Sequence, residues 1–299
     1  MSECAKRGDR LEAFLLAPAT GRPMAALRAW LAPLLLVQGL LIASVVPELF
    51  GRNGILQGAL SDFFLGFDVL AAIGLRGLLR VLDLADENWL RLVFSTYLCA
   101  LLALTAGWWC RPAAWTACLT HALLGLAGRL SMYGVDQFAQ VALFYLALHP
   151  AEGVSWRPGT PPGPATPGAR LALRMLQVNL CIAYLSSGVA KMQGHEWWNG
   201  EAIFRSVMMP LYASVPMGWI ASTPILAKLL GWGTLVLEAG YFVFIWPAAT
   251  RRLWIFGIVG LHLGILVFLG LGTFALTMIV LTVAAFGVSA EPITVPSGG

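Results

Sequence analysis

Long apolar runs separated by short polar segments make up most of the 299-residue chain. A helix needs about 20 apolar residues to cross a hydrocarbon core about 30 Å thick. The pattern therefore predicts an all-α, polytopic membrane bundle with about eight transmembrane helices. The predicted spans are residues 24–47, 90–109, 112–128, 135–149, 172–192 and 224–247, with two short crossings inside 253–288 that Gly270 and Gly272 would join by a tight turn.

Residues 59–82 interrupt this pattern because charged residues, among them Asp62, Asp68, Arg76 and Arg80, stand between the leucines. Charges of this kind favour an interfacial or partly buried helix over a lipid-exposed span. We therefore leave this segment outside the count of eight spans.

The predicted spans fall into two groups, separated by a segment that cannot sustain a helix. Residues 1–23 form a polar leader, and residues 24–149 carry the N-terminal transmembrane helices. Residues 150–170 contain six prolines and four glycines, a composition typical of a linker. Residues 171–290 carry the second group of helices, and residues 291–299 form a tail.

Basic residues set the predicted orientation of the chain. With eight spans and the N-terminus in the cytoplasm, the linker and the pair Arg251 and Arg252 lie inside, in agreement with the positive-inside rule. Residues 193–222 then face outward. A cleaved signal peptide is the alternative for the leader, but Glu12 and Pro18 interrupt its apolar region, so we favour a cytoplasmic leader.

The composition excludes several classes of protein. Apolar residues make up 59% of the chain and charged residues 11%, against about 25% charged in soluble proteins, so the lipid bilayer is the expected partner. The net charge of +4 comes from scattered residues, and nucleic acid is not an expected partner. The five cysteines form no CxxC motif and are expected to be reduced. Abundant Ala, Gly, Arg and Pro indicate a GC-rich bacterial genome, which predicts a multi-pass protein of the bacterial inner membrane.

The motifs of soluble enzymes are missing: the chain has no P-loop, no GxSxG and no HExxH motif, and no GxGxxG that opens a βαβ unit. Any chemistry must therefore come from polar groups inside the membrane region. An ionisable side chain there is costly unless it is paired or neutral, so each one marks a candidate site.

Lys191 ends a long apolar run and has two interpretations. A lysine at the end of a span can extend its ammonium group to the membrane surface. Alternatively, burial disfavours the ammonium form, and a neutral amine is then available as a base. The small residues Ser186, Ser187 and Gly188 would let another helix or a flat ligand approach closely.

Glu238 and His262 lie near the middle of their predicted spans. Glu238 is too deep to reach the surface, so it needs a partner inside the bundle or a protonated carboxyl group. It is either a structural link between helices or a carboxylate that positions a catalytic partner. His262 is either hydrogen-bonded across a helix interface or serves as a donor or proton relay for a substrate.

The remaining polar candidates have weaker contexts. His121 and His149 stand in shorter apolar runs, and His195 falls in the predicted outer segment. No two histidines are spaced i, i+4, so we expect no metal centre. Asp136 opens an apolar run, and an N-cap is its simplest role.

Several of these residues together resemble the horizontally transferred transmembrane (HTTM) family, which includes the membrane part of vitamin K-dependent γ-glutamyl carboxylase. The similarity covers residues 130–290 and the first 120 residues only in general plan. It is carried by Gly134 to Asp136, His149 and Pro150, Arg174 to Gln177, Tyr184, Gly188, Lys191, Gly194, Trp197, Gly200, Glu238, Leu261 to Leu263 and Gly272 to Phe274.

The resemblance implies a function and a cofactor. It implies that Lys191 deprotonates a reduced quinone, such as reduced vitamin K, whose reaction with oxygen drives the carboxylation of a glutamate. It also implies that His262 orients the quinone and that Glu238 fixes neighbouring groups. Tyr184, Gly188, Trp197 and Trp198 would bind the cofactor.

The chain departs from the carboxylase in three respects. It has Ala190 before Lys191 where the carboxylase has a second lysine, and it reads Val135, Asp136 and Gln137 where the carboxylase is rich in Asn and His. The sequence ends eleven residues after the last predicted span, so we expect no counterpart of the carboxylase's large extramembrane domain. We therefore expect a smaller substrate, such as a secreted peptide. The alternative hypothesis is a non-enzymatic maturation, export or immunity component for a secreted peptide toxin, in which Lys191 and Glu238 form a structural ion pair.

Overall fold

The computed structural model describes residues 2–51, 53–55, 87–128, 131–149, 163–210 and 215–291, with side chains from Gly8 onward. Helices dominate these ranges, and the only strand-like feature within them is a single bridge between Ala19 and Thr166. The helices are α1 (Ser2–Leu16), α2 (Arg22–Ile42), α3 (Val46–Phe50), α4 (Glu87–Ala106), α5 (Cys110–Ala127), α6 (Gly134–Leu148), α7 (Pro167–Gln193), α8 (His195–Asn199), α9 (Glu201–Met208), α10 (Pro224–Phe244), α11 (Ala248–Leu269) and α12 (Gly272–Thr282). A 3-10 turn precedes α10, and a π turn over residues 283–287 extends α12.

Four helices are long and apolar enough to cross a membrane: α2, α4, α10 and α11. The apolar helices over 134–148 and 272–287 are shorter. The described residues are therefore all-helical, and four of their helices have the length and apolarity of membrane spans, which indicates a membrane protein. The additional crossings that bring the number to eight stay a prediction.

The chain folds into two compact units. The first unit combines residues 1–27 with residues 161–299, and the second unit consists of residues 28–160. Helix α2 begins in the first unit and continues into the second.

The second unit is built on antiparallel helices. Helix α5 packs against both α4 and α6, and a tight turn with positive φ at Gly107 and Trp109 joins α4 to α5. A hydrogen bond of 2.8 Å between His121 and Gln140 links α5 to α6. This hydrogen bond offsets the loss of water by the buried His121 and the half-buried Gln140.

Asp136 does not occupy the N-cap position that the sequence predicted for it. Tyr133 occupies the N-cap position of α6, and Asp136 is the third residue of the helix. Its carboxylate accepts a hydrogen bond of 3.0 Å from the backbone N–H of Tyr133. The acidic residue thus stabilises the start of α6 from inside the first turn, where a negative charge also complements the helix dipole.

The first unit centres on α7 and α10, which pack along each other, and α11 packs against both α10 and α12. Two arginines of α7 hold the C-terminal end of α1 and the residue that follows it. Arg170 donates a hydrogen bond of 2.8 Å to the carbonyl of Ala17, and Arg174 donates one of 3.1 Å to the carbonyl of Phe14. The arginines therefore satisfy carbonyls at the end of α1 that the helix itself leaves free.

Several predicted boundaries shift in the structure. The leader contains the helix α1, and α7 starts at Pro167, inside the predicted linker, because Thr166 caps it by accepting a hydrogen bond of 3.1 Å from Ala169. The turn predicted within 253–288 is confirmed at Gly270, whose φ of 66° suits glycine. Residues 59–82 lie outside the described residues, as does most of the linker.

Candidate functional site

The candidate site is an ion pair inside the first unit. The Nζ atom of Lys191 on α7 lies 2.6 Å from Oε2 of Glu238 on α10. The Lys191 side chain is 23% exposed and that of Glu238 is 8% exposed. The depth of Glu238 predicted a partner inside the bundle, and Lys191 is that partner. Lys191 therefore does not extend alone to the membrane surface.

Two further groups hold the lysine. Nζ donates a hydrogen bond to Oγ of Ser187, one helical turn earlier on α7, and lies 5.3 Å from the centre of the Trp197 ring. A cation near the face of an indole ring is attracted by the ring quadrupole. The amine is thus held on three sides, by a carboxylate, a hydroxyl and an aromatic face.

Gly188 explains why Lys191 and Glu238 can meet. A Cβ atom at Gly188 would lie 2.7 Å from the backbone nitrogen of Ala239, the residue that follows Glu238. The absence of a side chain therefore lets the backbones of α7 and α10 approach closely, as small residues do between membrane helices. The space beside Gly188 is filled by a helix and leaves no room there for a flat ligand.

A second polar contact lies two helical turns before Lys191. The hydroxyl of Tyr184 on α7 lies 2.8 Å from Nε2 of His262 on α11, and both residues are buried. The ring of Tyr241 lies 4.3 Å from that of Tyr184. Nδ1 of His262 and the hydroxyl of Tyr241 have no hydrogen-bond partner among the described residues. The same helix face thus carries an ion pair and a tyrosine–histidine pair about 10 Å apart.

Indole N–H groups of two tryptophans donate hydrogen bonds to backbone carbonyls at and just after the end of α7. The indole N–H of Trp198 donates a hydrogen bond of 2.8 Å to the carbonyl of Met192, and that of Trp232 donates one of 2.9 Å to the carbonyl of Trp198. A Cβ atom at Gly231 would lie 2.6 Å from the carbonyl oxygen of Trp197, so α8 packs tightly on α10. These contacts fix α8 beside Lys191.

The structure brings together most of the residues that the sequence singled out. Lys191, Glu238 and Trp197 form one group, and Tyr184 and His262 form a second on the same helix face. Gly188 contributes by helix packing, and Trp198 uses its indole N–H on the backbone of α7.

Sequence reasoning missed the contact of Ser187 with Lys191 and the unpartnered hydroxyl of Tyr241. The i, i+4 spacing of Ser187 and Lys191 could have revealed the first, because residues at that spacing are neighbours on a helix. Nothing in the sequence indicates that the hydroxyl of Tyr241 lacks a partner. Among the residues that the structure describes, no three His, Cys, Asp or Glu side chains converge on a metal site.

The paired groups can exchange a proton. An ammonium–carboxylate pair and a neutral amine–carboxylic acid pair differ only in the position of one proton. Lys191 and Glu238 can therefore act together as one acid–base unit.

Comparison with protein-family models, with curated proteins and with solved structures yields no match for this chain.

The tyrosine–histidine pair leads to a testable contrast. Tyr184→Phe removes the hydroxyl that contacts His262, and we expect it to destabilise the protein by about 1–3 kcal/mol, since a buried imidazole nitrogen is left without a partner. Tyr241→Phe removes a hydroxyl that has no partner among the described residues, so the free energy of unfolding should stay the same or rise. Thermal unfolding of both variants in detergent measures the contrast, and an equal loss in both would contradict it.

Proposed function

We propose that this protein is an HTTM-type membrane enzyme whose acid–base unit, Lys191 and Glu238, removes a proton from a reduced quinone. The observation that supports the proposal is the distance of 2.6 Å between Nζ of Lys191 and Oε2 of Glu238, inside a bundle with span-length helices. A base in an apolar site suits the hydroxyl of a quinol, which is a weak acid like that of tyrosine.

The residues around Lys191 are suited to a quinol. The amine is partly exposed, so an incoming hydroxyl can reach it, and the Trp197 ring offers an aromatic face beside it. The unpartnered Nδ1 of His262 is a buried polar atom that a quinone oxygen could satisfy. Lys191, Glu238, Trp197 and His262 would therefore hold the ligand. A bound quinol supplies a weakly acidic hydroxyl group and two reducing electrons.

Each residue of the site has a defined task in this proposal. The Lys191 ammonium first passes a proton to the Glu238 carboxylate, and the free amine then accepts the proton of the quinol hydroxyl. The pair then carries two protons, and the quinolate anion balances the charge of the ammonium. Ser187 and Trp197 fix the amine, so its orientation does not change when a ligand arrives. The proposal in its finer form is that oxidation of the quinol by oxygen drives carboxylation, or another modification, of a peptide or a small substrate in the bacterial inner membrane.

Quinol oxidation in nanodiscs tests the proposal. The purified protein is supplied with reduced vitamin K or menaquinol and oxygen, and the quinone products are separated by chromatography. We expect Lys191→Ala to lower the rate about 100-fold or more, the usual contribution of a positioned base. Lys228→Ala, on α10 but outside the site, serves as the matched control and should retain the rate of the unmodified protein. No protein-dependent oxidation by the unmodified protein would overturn the proposal.

The ion pair also favours a second candidate function, that of a non-enzymatic component in the maturation, export or immunity of a secreted peptide. Lys191 already has Glu238, Ser187 and Trp197 as partners, which is what a structural link between α7 and α10 requires. Under this alternative the quinol stays unchanged in the same nanodisc experiment, and a peptide co-purifies with the protein. The double variant Lys191→Met with Glu238→Leu should then retain the peptide.

A further inference from the structure

The order of contacts along α10 locates the segment after α7 in the membrane. Lys191 pairs with Glu238, Trp197 lies against Gly231, and Gly200 lies against Lys228. Residues 191–200 therefore follow α10 from Glu238 to Lys228, a length of about 15 Å at 1.5 Å per residue. The midpoint of α10, Pro224–Phe244, is Thr234, which lies inside this interval.

The end of α7 and the start of α9 are thus two parts of one broken helix beside a span. Helix α7 stops at Gln193, α8 covers five residues, and α9 begins at Glu201. Both breaks lie at glycines, Gly194 and Gly200, and Gly200 has a φ of 86°. Membrane proteins tolerate such irregular backbone where it is buried in protein or lines a water-filled cavity.

The side chains of α8 are too polar for contact with lipid at this depth. His195 is exposed, while Glu196 and Asn199 are half-buried. Nδ2 of Asn199 lies 3.3 Å from Nδ1 of His195. Glu196 forms no ion pair with any residue that the structure describes. Ionisable groups at the depth of the hydrocarbon core usually face a protein interior or water.

We propose that α7 and α8 form one discontinuous membrane segment and that the polar face of α8, with His195, Glu196 and Asn199, lines a water-filled vestibule that ends at Lys191. Residues 193–200 then lie at membrane depth, not in an outer loop. The partly exposed amine of Lys191 lies at the inner end of the vestibule. Through it, the acid–base unit exchanges protons with water, and a polar end of a substrate reaches the amine.

Cysteine labelling tests this arrangement without reference to quinol chemistry. The variants His195→Cys and Asn199→Cys are reconstituted in proteoliposomes and treated with a charged, membrane-impermeant methanethiosulfonate reagent, with access from both sides. Labelling at each position is quantified by mass spectrometry of peptides. Val236→Cys is the matched control, because Val236 is 61% exposed and lies on α10 within the interval from Glu238 to Lys228.

We expect the cysteines at 195 and 199 to be labelled at least 100-fold faster than the cysteine at 236, since a thiol reacts as its thiolate and thiolates form in water. Two positions on α8 keep the test conclusive if one variant does not fold, as judged by gel filtration. Labelling of the α8 cysteines as slow as that at position 236 would overturn the vestibule. Such a result would leave the proposed function open to its own test, and a failure of quinol oxidation would leave the vestibule intact.

Discussion

Glu238→Leu will lower the free energy of unfolding by about 3–5 kcal/mol, because it leaves the amine of Lys191 inside the bundle without its carboxylate. Most of this loss of stability arises because the charge of Lys191 remains buried without a partner. The lost attraction between Lys191 and Glu238 contributes less. Replacing both partners, Lys191→Met with Glu238→Leu, will recover most of the stability, since two apolar side chains need neither water nor a counter-charge. Unfolding by SDS in mixed micelles measures all three proteins.

The surface pair Arg205 and Glu201 provides a control for this cycle. It is an i, i+4 pair on α9 with an Arg205 side chain that is 72% exposed. Glu201→Leu should therefore change the free energy of unfolding by less than about 1 kcal/mol. If Glu238→Leu cost no more than Glu201→Leu, the buried ion pair would not be a determinant of the fold.

The second large effect is expected at the contact of α7 with α10. Gly188→Ala places a methyl group 2.7 Å from a backbone nitrogen, so the two helices must separate. Overpacking of this kind costs about 1–3 kcal/mol, and separation also pulls Lys191 away from Glu238. We therefore expect a loss of both stability and quinol oxidation. Thermal unfolding and the nanodisc assay measure the two quantities.

Gly233→Ala is the matched control for that variant. Gly233 lies in the interior of α10, and a Cβ atom there would meet nothing within 4 Å. Alanine should stabilise α10 at this position by about 0.5–1 kcal/mol, the usual difference between the two residues in a helix. If Gly188→Ala and Gly233→Ala changed the thermal stability by the same amount, the close approach of α7 and α10 would be contradicted.

The apolar pattern was sufficient to predict the four helices that are long and apolar enough to cross a membrane. Helices α2, α4, α10 and α11 lie at the predicted positions to within a few residues, because length and apolarity are what a bilayer requires of a span. Boundaries set by local contacts were less predictable. Thr166 starts α7 inside a proline-rich segment, and a linker composition alone does not show that a helix begins there.

The site was predictable as a set of residues but not as a geometry. Isolated charges in apolar runs identified Lys191 and Glu238, because each such charge must have a partner. The sequence could not show that they are partners of each other, since that depends on the register of α7 against α10, which Gly188 sets. For the same reason, the sequence could not show that α8, within residues 193–222, packs against Gly231 of α10.

The most direct test of the acid–base unit is the ionisation of a bound phenol. 1-Naphthol carries one hydroxyl, cannot be oxidised to a para-quinone without added oxygen, and absorbs differently as the naphtholate anion. Bound anaerobically to the protein in nanodiscs, it should show naphtholate absorbance in near-stoichiometric amount, and Lys191→Ala should abolish that absorbance. Naphthol that binds to the unmodified protein and stays neutral would contradict a base at Lys191.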